Sequence, residues 1–278
     1  MTPLRKRLID CMQVRHFSDN TQTCYISWVY QLAKYYHRSR DELQDEELKA
    51  FLWSLSLERH LSSSSCAQAF HALNFFYKEV LGRTFNQRLL PPMKRAQKIP
   101  ELLNPLEVQQ ILAACQKLKY RTMRCGLRVS EVSALAVRDI DGPLKTLHIH
   151  QAKGAKDRRI PLTDTLLNLL RHYWCEYRPK THLFYSGDMK DKALSIKSIQ
   201  RAYKKAKSAA GIDKSGGIHA LRHAFATHQL MAGMPLTQLQ HVLGHKNIKT
   251  TLRYIHWLPG TQGKDEAFDL VAKLGVKS

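Results

Sequence analysis

The chain has 278 residues, is 44% hydrophobic and carries 44 Lys and Arg against 23 Asp and Glu, a formal net charge of +21. That composition excludes a disordered chain and suffices for two cores. No apolar run approaches the ~18 residues of a membrane span. The basic excess is uneven, with 12 basic and 9 acidic side chains in residues 1–88 but 32 and 14 in residues 89–278. A charge concentrated in this way points the second part at a polyanion, with nucleic acid the first candidate.

The opening stretch, MTPLRKRLIDCMQVRHF, is basic and amphipathic. It lacks the apolar block and small-residue cleavage site of a secretory leader, so the expected location is the cytoplasm. Cys11, Cys24, Cys66, Cys115, Cys125 and Cys175 form no C-x-x-C pair and read as reduced thiols. Residues 21–37 place Cys24, Trp28, Leu32 and Tyr35 or Tyr36 at helical spacing. DELQDEELKAFLWSLSLE opens acidic, as a helix N-terminus favours, and then shows an apolar face at Leu48, Phe51, Leu52 and Leu55. SSSSCAQAFHALNFFYKEVLG offers serine caps, a face at Ala69, Leu73, Phe76 and Val80, and Gly82 as a stop. Residues 1–88 are therefore expected to form a helical bundle, with Tyr25, Trp28, Phe51, Trp53, Phe70, Phe75 and Phe76 as core.

LLPPMKRAQKIPELLNP, rich in Pro and basic residues without a periodic apolar face, reads as a linker over 89–103. Its Lys94, Arg95 and Lys98 are candidate DNA contacts. A new domain over 104–278 opens with Asn104, Pro105 and Glu107 in the pattern of a capped helix. Around 144–162 the period changes to two: Leu147 and Ile149 alternate with His148 and His150. The strand returns at RRIPL, a β-hairpin with Lys153 near its tip. TDTLLNLLRHYW reads as a helix, HLFYS as a short apolar piece, and SIKSIQRAYKKAKSAAGI as a strongly basic helix. Arg201, Lys204, Lys205 and Lys207 of that basic helix are further candidate DNA contacts.

Four motifs carry chemistry. CGLRVSEVSAL puts Arg128 at a helix start after a turn-forming glycine. Lys153 sits in the hairpin. GIHALRHAFATH places His219 and Arg222 at i, i+3 on one helical face. LGHKNIKTTLRYIH places His245 nine residues before Tyr254. Arginines supply bidentate donors to phosphate oxygens, and a tyrosine can serve as a nucleophile. Three histidines within GIHALRHAFATH could instead suggest a metal, but no glutamate completes an H-E-x-x-H motif. His223 and His228 are therefore assigned to packing or hydrogen bonding.

In order and spacing, these motifs resemble the tyrosine recombinase (phage integrase) family, most of all Xer-like and integron-type integrases borne by mobile elements. The segment between Tyr173 and Phe184 lacks the insertion expected of an integron integrase. The resemblance implies a mainly α fold with a small antiparallel sheet: a helical, SAM-like core-binding domain followed by a DNA breaking-rejoining catalytic domain. It implies strand exchange through a 3′-phosphotyrosine, with no metal or other cofactor. Arg128, Lys153, His219, Arg222, His245 and Tyr254 would be catalytic. Arg128 and Arg222 would clamp the phosphate, His219 or a neighbour would take the tyrosine proton, Lys153 would protonate the leaving oxygen, and His245 would donate to the phosphate. The partners implied are double-stranded DNA and either three further copies of the chain, in a tetramer on DNA, or a second recombinase. A C-terminal helix with Phe268, Val271 and Leu274 would dock on a neighbouring copy.

One stretch departs from the family pattern. LAACQKLKYRTMRC, before GLR, lacks the full apolar helix that should buttress Arg128. The alternative function is therefore a DNA-binding or architectural factor derived from a recombinase, with residues 236–256 as its helix-turn-helix-like reader.

Overall fold

The computed structural model describes residues 2–83, 101–115, 117, 126–150, 157–187 and 189–258. Tertiary contacts divide the chain into two compact units, residues 1–97 and 98–278. Lys94, Arg95, Lys98, Lys153, most of the stretch before Gly126, and the C-terminal piece with Phe268, Val271 and Leu274 lie outside the described residues.

The first unit is helical: α1 (Pro3–Val14), α2 (Asp19–Tyr36), α3 (Asp45–Leu57) and α4 (Ser63–Phe75), the last running on into a wider π turn over Phe76–Val80. Side chains start three of them. Ser18 accepts from the Thr21 amide, Ser62 from the Ser65 amide, and Glu47 reaches back to the Gln44 amide in a capping box, each satisfying helix-start donors that would otherwise be orphaned. The chain leaves this last helix through Gly82 at φ +68°, a conformation that side chains with a Cβ resist. The expected faces are the buried ones: Leu48, Phe51, Leu52 and Leu55 meet Ala69, Leu73, Phe76 and Val80 in one apolar cluster. Trp28 and Phe70 are buried with them, while Tyr25 and Phe75 pack at its edge. These aromatics are core, not a platform for bases.

The second unit is mixed. Helix α5 (Pro105–Ala113) begins at the expected capping box, in which Asn104 accepts from the Glu107 amide at 2.8 Å and Glu107 accepts from the Asn104 amide at 2.7 Å. Residues 101–103 are not linker-like in structure. Leu103 is buried with Ile111, Cys115 and Tyr203, and Lys214 donates to the Leu102 carbonyl. One apolar side chain with a place to bury outweighs the polar composition around it.

Helix α6 (Val129–Ala134) leads to a three-stranded antiparallel sheet of β1 (Ile140–Asp141), β2 (Thr146–Ile149) and β3 (Arg158–Pro161), in that order. The period-two pattern sets its face: Leu147, Ile149 and Ile160 are buried. Helix α7 (Asp164–Tyr177) covers the core with Leu167, Leu170 and Tyr173. A small ribbon follows, β4 (Tyr185–Ser186) against β5 (Met189–Ala193). The basic helix α8 (Ile196–Ala209) buries Ile199, Tyr203 and Ala206. Three helices close the described chain: α9 (His219–Met231), α10 (Leu236–Leu243) and α11 (Ile248–Ile255). No helix among the described residues is long and apolar enough to cross a membrane.

Candidate active site

The site is built around the C-terminal end of α10. Gly244 ends that helix in the left-handed conformation, φ 64°, as αL caps do. Carbonyls at a helix end have no partner within the helix and carry its negative pole. Here three in a row are each met by a different arginine. The Val242 carbonyl accepts from Arg158 Nε at 3.0 Å, the Leu243 carbonyl from Arg222 at 2.7 Å, and the Gly244 carbonyl from Arg128 at 2.8 Å. Hydrogen bonds from charged donors contribute about 1.5–3 kcal/mol each, enough to hold together like charges that would otherwise repel.

A single carboxylate completes the frame. Glu131, on α6 with its side chain 8% exposed, accepts two bonds from Arg158, at 3.1 and 2.9 Å, and one from Arg128, at 2.7 Å. It also takes the Arg128 backbone amide at 2.9 Å. Burial pushes the Glu131 pKa up, but its bonds to Arg158 and Arg128 outweigh this and hold it below the ordinary carboxylate range. Gly126 lets the chain approach. It sits at φ +66°, and a Cβ there would lie 2.4 Å from the Phe225 ring. Its carbonyl accepts from Arg222 at 2.8 Å.

Arg222 is buried on α9, among the small residues Ala220, Ala224 and Ala226. Burial, then the nearby Arg128 charge, lowers its pKa to about 10, which leaves it charged at neutral pH. It also donates to His245 Nε2 at 3.1 Å. Because arginine can only donate, Nε2 is the acceptor and the His245 proton sits on Nδ1, which donates to the Thr251 hydroxyl at 2.9 Å. Burial and the Arg222 and Arg128 charges push the His245 pKa down to about 4, so the ring is neutral. To donate from Nε2, the ring would have to give up the Arg222 bond and move its proton.

Tyr254 lies on the last turn of α11 with its body against Ala226, Leu239 and Leu243. Its ring stacks parallel to His245 at 6.1 Å and meets Trp257 edge-on at 5.2 Å. Its hydroxyl is 3.2 Å from His223 Nδ1. Burial raises the Tyr254 pKa, while the charges of Arg222 and Arg128 pull it back. Burial, then His219 and Arg222, lowers that of His223, leaving a neutral ring able to accept the phenolic proton.

Arg128, Arg222, His245 and Tyr254 thus converge. His219 is exposed at the first turn of α9, in the wall of a cleft that it shares with Arg222 and Gly126, and the hydroxyl of Tyr254 meets His223 instead. Sequence reasoning left His223 to packing or hydrogen bonding and did not single out Glu131 or Arg158. Arg158 had one signal, a charge at an inward position of β3, paired with the buried Ile149 across the register. On α8, Arg201, Lys204 and Lys205 are exposed, whereas Lys207 is partly buried and donates to the Lys214 carbonyl.

Three guanidiniums against one carboxylate and about half a charge from the helix end leave a cationic site, and both Arg128 and Arg222 retain N–H donors beyond those spent on the protein. Such a site suits a phosphate beside a tyrosine hydroxyl. Comparison with known proteins agrees. Residues 101–259 match the phage integrase family, and residues 4–87 match the phage integrase N-terminal SAM-like domain. The chain belongs to the phage integrase family of tyrosine recombinases. It is 37% identical to an integrase/recombinase of Sinorhizobium fredii, over 92% of this chain and 84% of that one. It is 32% identical to the tyrosine recombinase XerD of Caulobacter vibrioides, over 85% and 86%. Its fold is shared by lambda integrase in a tetramer bound to a Holliday junction, with TM-score 0.72 and 19% identity over 90% of this chain and 76% of that one. The Tn1549 transposon integrase shares it as well, with TM-score 0.71 and 18% identity over 99% and 100%.

Proposed function

We propose that this recombinase cuts and rejoins DNA at specific sites with Tyr254 as nucleophile. The observation that carries the reading is the Tyr254 hydroxyl, buried beside His223 and next to Arg222, itself tied to the helix end that anchors Arg128. In the forward step the phenolic oxygen attacks the scissile phosphorus while its proton passes to His223 Nδ1. The new P–O bond links tyrosine to the 3′ phosphate, and the 5′ oxygen leaves with a proton from Lys153. Arg128 and Arg222 hold the non-bridging oxygens as charge builds on them, a service worth ~3–4 kcal/mol per donor in comparable oxyanion sites. His219, at the wall of the cleft, serves as a further donor to the same phosphate. Attack by the 5′ hydroxyl of another strand reverses the step and frees the enzyme, so bond energy is conserved and no nucleotide cofactor is consumed.

Strand exchange needs four such sites. The tetramer seen for lambda integrase on a Holliday junction supports a homotetramer on DNA, or two copies paired with a second recombinase, acting in the cytoplasm. Arg201, Lys204 and Lys205, joined by Lys94, Arg95, Lys98 and Lys207, would track the backbone, and binding should weaken steeply as salt rises. A factor that only bound DNA would have no use for a buried tyrosine hydroxyl beside a charge-depleted histidine and paired arginines.

The test is a duplex nicked near the cleavage point, which traps the covalent complex on a denaturing gel. Tyr254→Phe removes one hydroxyl at a cost of about 1 kcal/mol, so the variant should fold and bind DNA yet form no adduct. An adduct with Tyr254→Phe would overturn the assignment.

A further inference from the structure

We propose that His148, His150 and Asp157 form a binding site for a zinc-class divalent transition metal at the base of the β2–β3 hairpin. The alternation that buries Leu147 and Ile149 turns His148 and His150 to the opposite face of β2, side by side with ring centroids 4.0 Å apart. The register pairs Ile149 with Arg158, so the next position along sets His150 across from Asp157.

The spacing of the donor atoms is that of a metal site. Asp157 Oδ2 lies 3.2 Å from His150 Nδ1 and 3.5 Å from His148 Nε2, and one ligand atom from each residue falls within 4.8 Å of the other two. Zinc bonds of 2.0–2.2 Å in a tetrahedron place ligand atoms ~3.4 Å apart. Two imidazoles and a carboxylate leave a fourth position for water.

A buried carboxylate behind the ligands is the stronger argument. Asp139, 5% exposed, has its Oδ1 3.2 Å from His150 Nε2, while its Oδ2 accepts from the Ala136 amide at 2.8 Å. A neutral imidazole has one N–H. With that proton on Nε2, donated to Asp139, the Nδ1 lone pair points at Asp157, carboxylate against lone pair. A metal between Nδ1 and Asp157 Oδ2 would bridge the two, 3.2 Å apart. The same metal would engage His148 Nε2, 3.5 Å from Asp157 Oδ2. A carboxylate bonded to the far nitrogen of a ligating histidine is the usual outer support of such sites, and losing it costs 10–100-fold in affinity. In sequence the site brackets Lys153, three residues after His150 and four before Asp157. A bound ion would join the two ends of that segment. The ion lies outside the strand-exchange chemistry, and the proposal does not depend on it.

The test is titration of the metal-stripped full chain with Zn2+ against a chromophoric chelator, with Co2+ absorbance reporting tetrahedral ligation. The parent should bind one more ion than the variant His148→Ala/His150→Ala. Asp139→Asn should keep that ion with an affinity ~10–100-fold lower. Retention of DNA binding by the double variant shows that it is folded. Should it fail to fold, His148→Gln and Asp157→Asn, at half-exposed and exposed positions, must each weaken the site at least ~10-fold. Equal stoichiometry and affinity in the parent and the variants would overturn the proposal.

Discussion

The interiors of the two units are made of different material. Among the described residues of the first unit the buried side chains are apolar but for Ser54, whose hydroxyl bonds the Phe51 carbonyl one turn back. In residues 98–278 the buried set includes Asp139, Arg158, Arg222, Thr227 and Thr251. Burying a charge costs free energy unless it is paired and hydrogen-bonded. The second unit meets that cost with the open end of α10 and with Glu131, and so fixes two arginines around a tyrosine. The first interior needs only shape and volume; the second needs particular atoms. The same substitution logic should therefore fail in one unit and succeed in the other.

The largest expected effect is at Arg158. Removing one partner of a buried ion pair leaves the other uncompensated, which costs about 3–5 kcal/mol. Arg158→Ala should destabilise the second unit by that amount in denaturant melts. Glu131→Gln/Arg158→Met should recover part of the stability but not cleavage, because Arg128 would still lack its carboxylate. Next is Arg222→Lys. It keeps the charge but cannot reach Gly126, Leu243 and His245 together, so cleavage should fall at least ~10²-fold, read as single-turnover adduct formation, with DNA binding changed much less.

A smaller effect is expected with pH. The His245 pKa drops from 6.5 to about 4 on folding, so below pH 6.5 the unfolded chain takes up the proton that the folded chain refuses. Stability should fall as pH drops from 6.5 toward 4 and level off below that. His223, also held below its ordinary value, acts in the same direction. Glu131, lowered on folding, adds a loss only below the ordinary carboxylate range. His245→Gln should flatten the melting temperature between pH 6.5 and 5, and a slope equal to that of the parent would remove His245 from the account. The smallest effect belongs to the first unit. Leu52→Met conserves volume in an apolar core, so it should cost less than ~1.5 kcal/mol and leave cleavage per folded molecule unchanged.

Much of the fold was legible in sequence. The apolar faces of α3 and α4, the capping box at Asn104 and the alternation at Leu147 and Ile149 are local patterns with periods of 3.6 and 2, and those residues are buried as their spacing dictates. The residues brought together at the site were legible by resemblance. Their partners were not. That His223 rather than His219 meets Tyr254 depends on where along α9 the end of α11 packs, because the two histidines share a face and differ by about one turn, ~6 Å, along the axis. Glu131 looked like any acidic residue in a first helical turn, and Arg158 like one more basic residue in a strand. Their pairing joins elements 27 residues apart and answers to the carbonyls of a third, which no local pattern records. Leu103 shows the same limit on a smaller scale, since composition placed it in a linker and packing places it in a core.

The central claim is that the helix-end arginines gather a phosphate against one particular tyrosine, and identifying the DNA-linked residue tests it most directly. The covalent complex on a nicked duplex would be isolated and digested with trypsin, and the peptide bearing the nucleotide sequenced by mass spectrometry. Cleavage after Arg253 should release a peptide that begins at Tyr254 and carries a phosphodiester on that residue. A nucleotide on Tyr203, or on any residue other than Tyr254, would contradict the account.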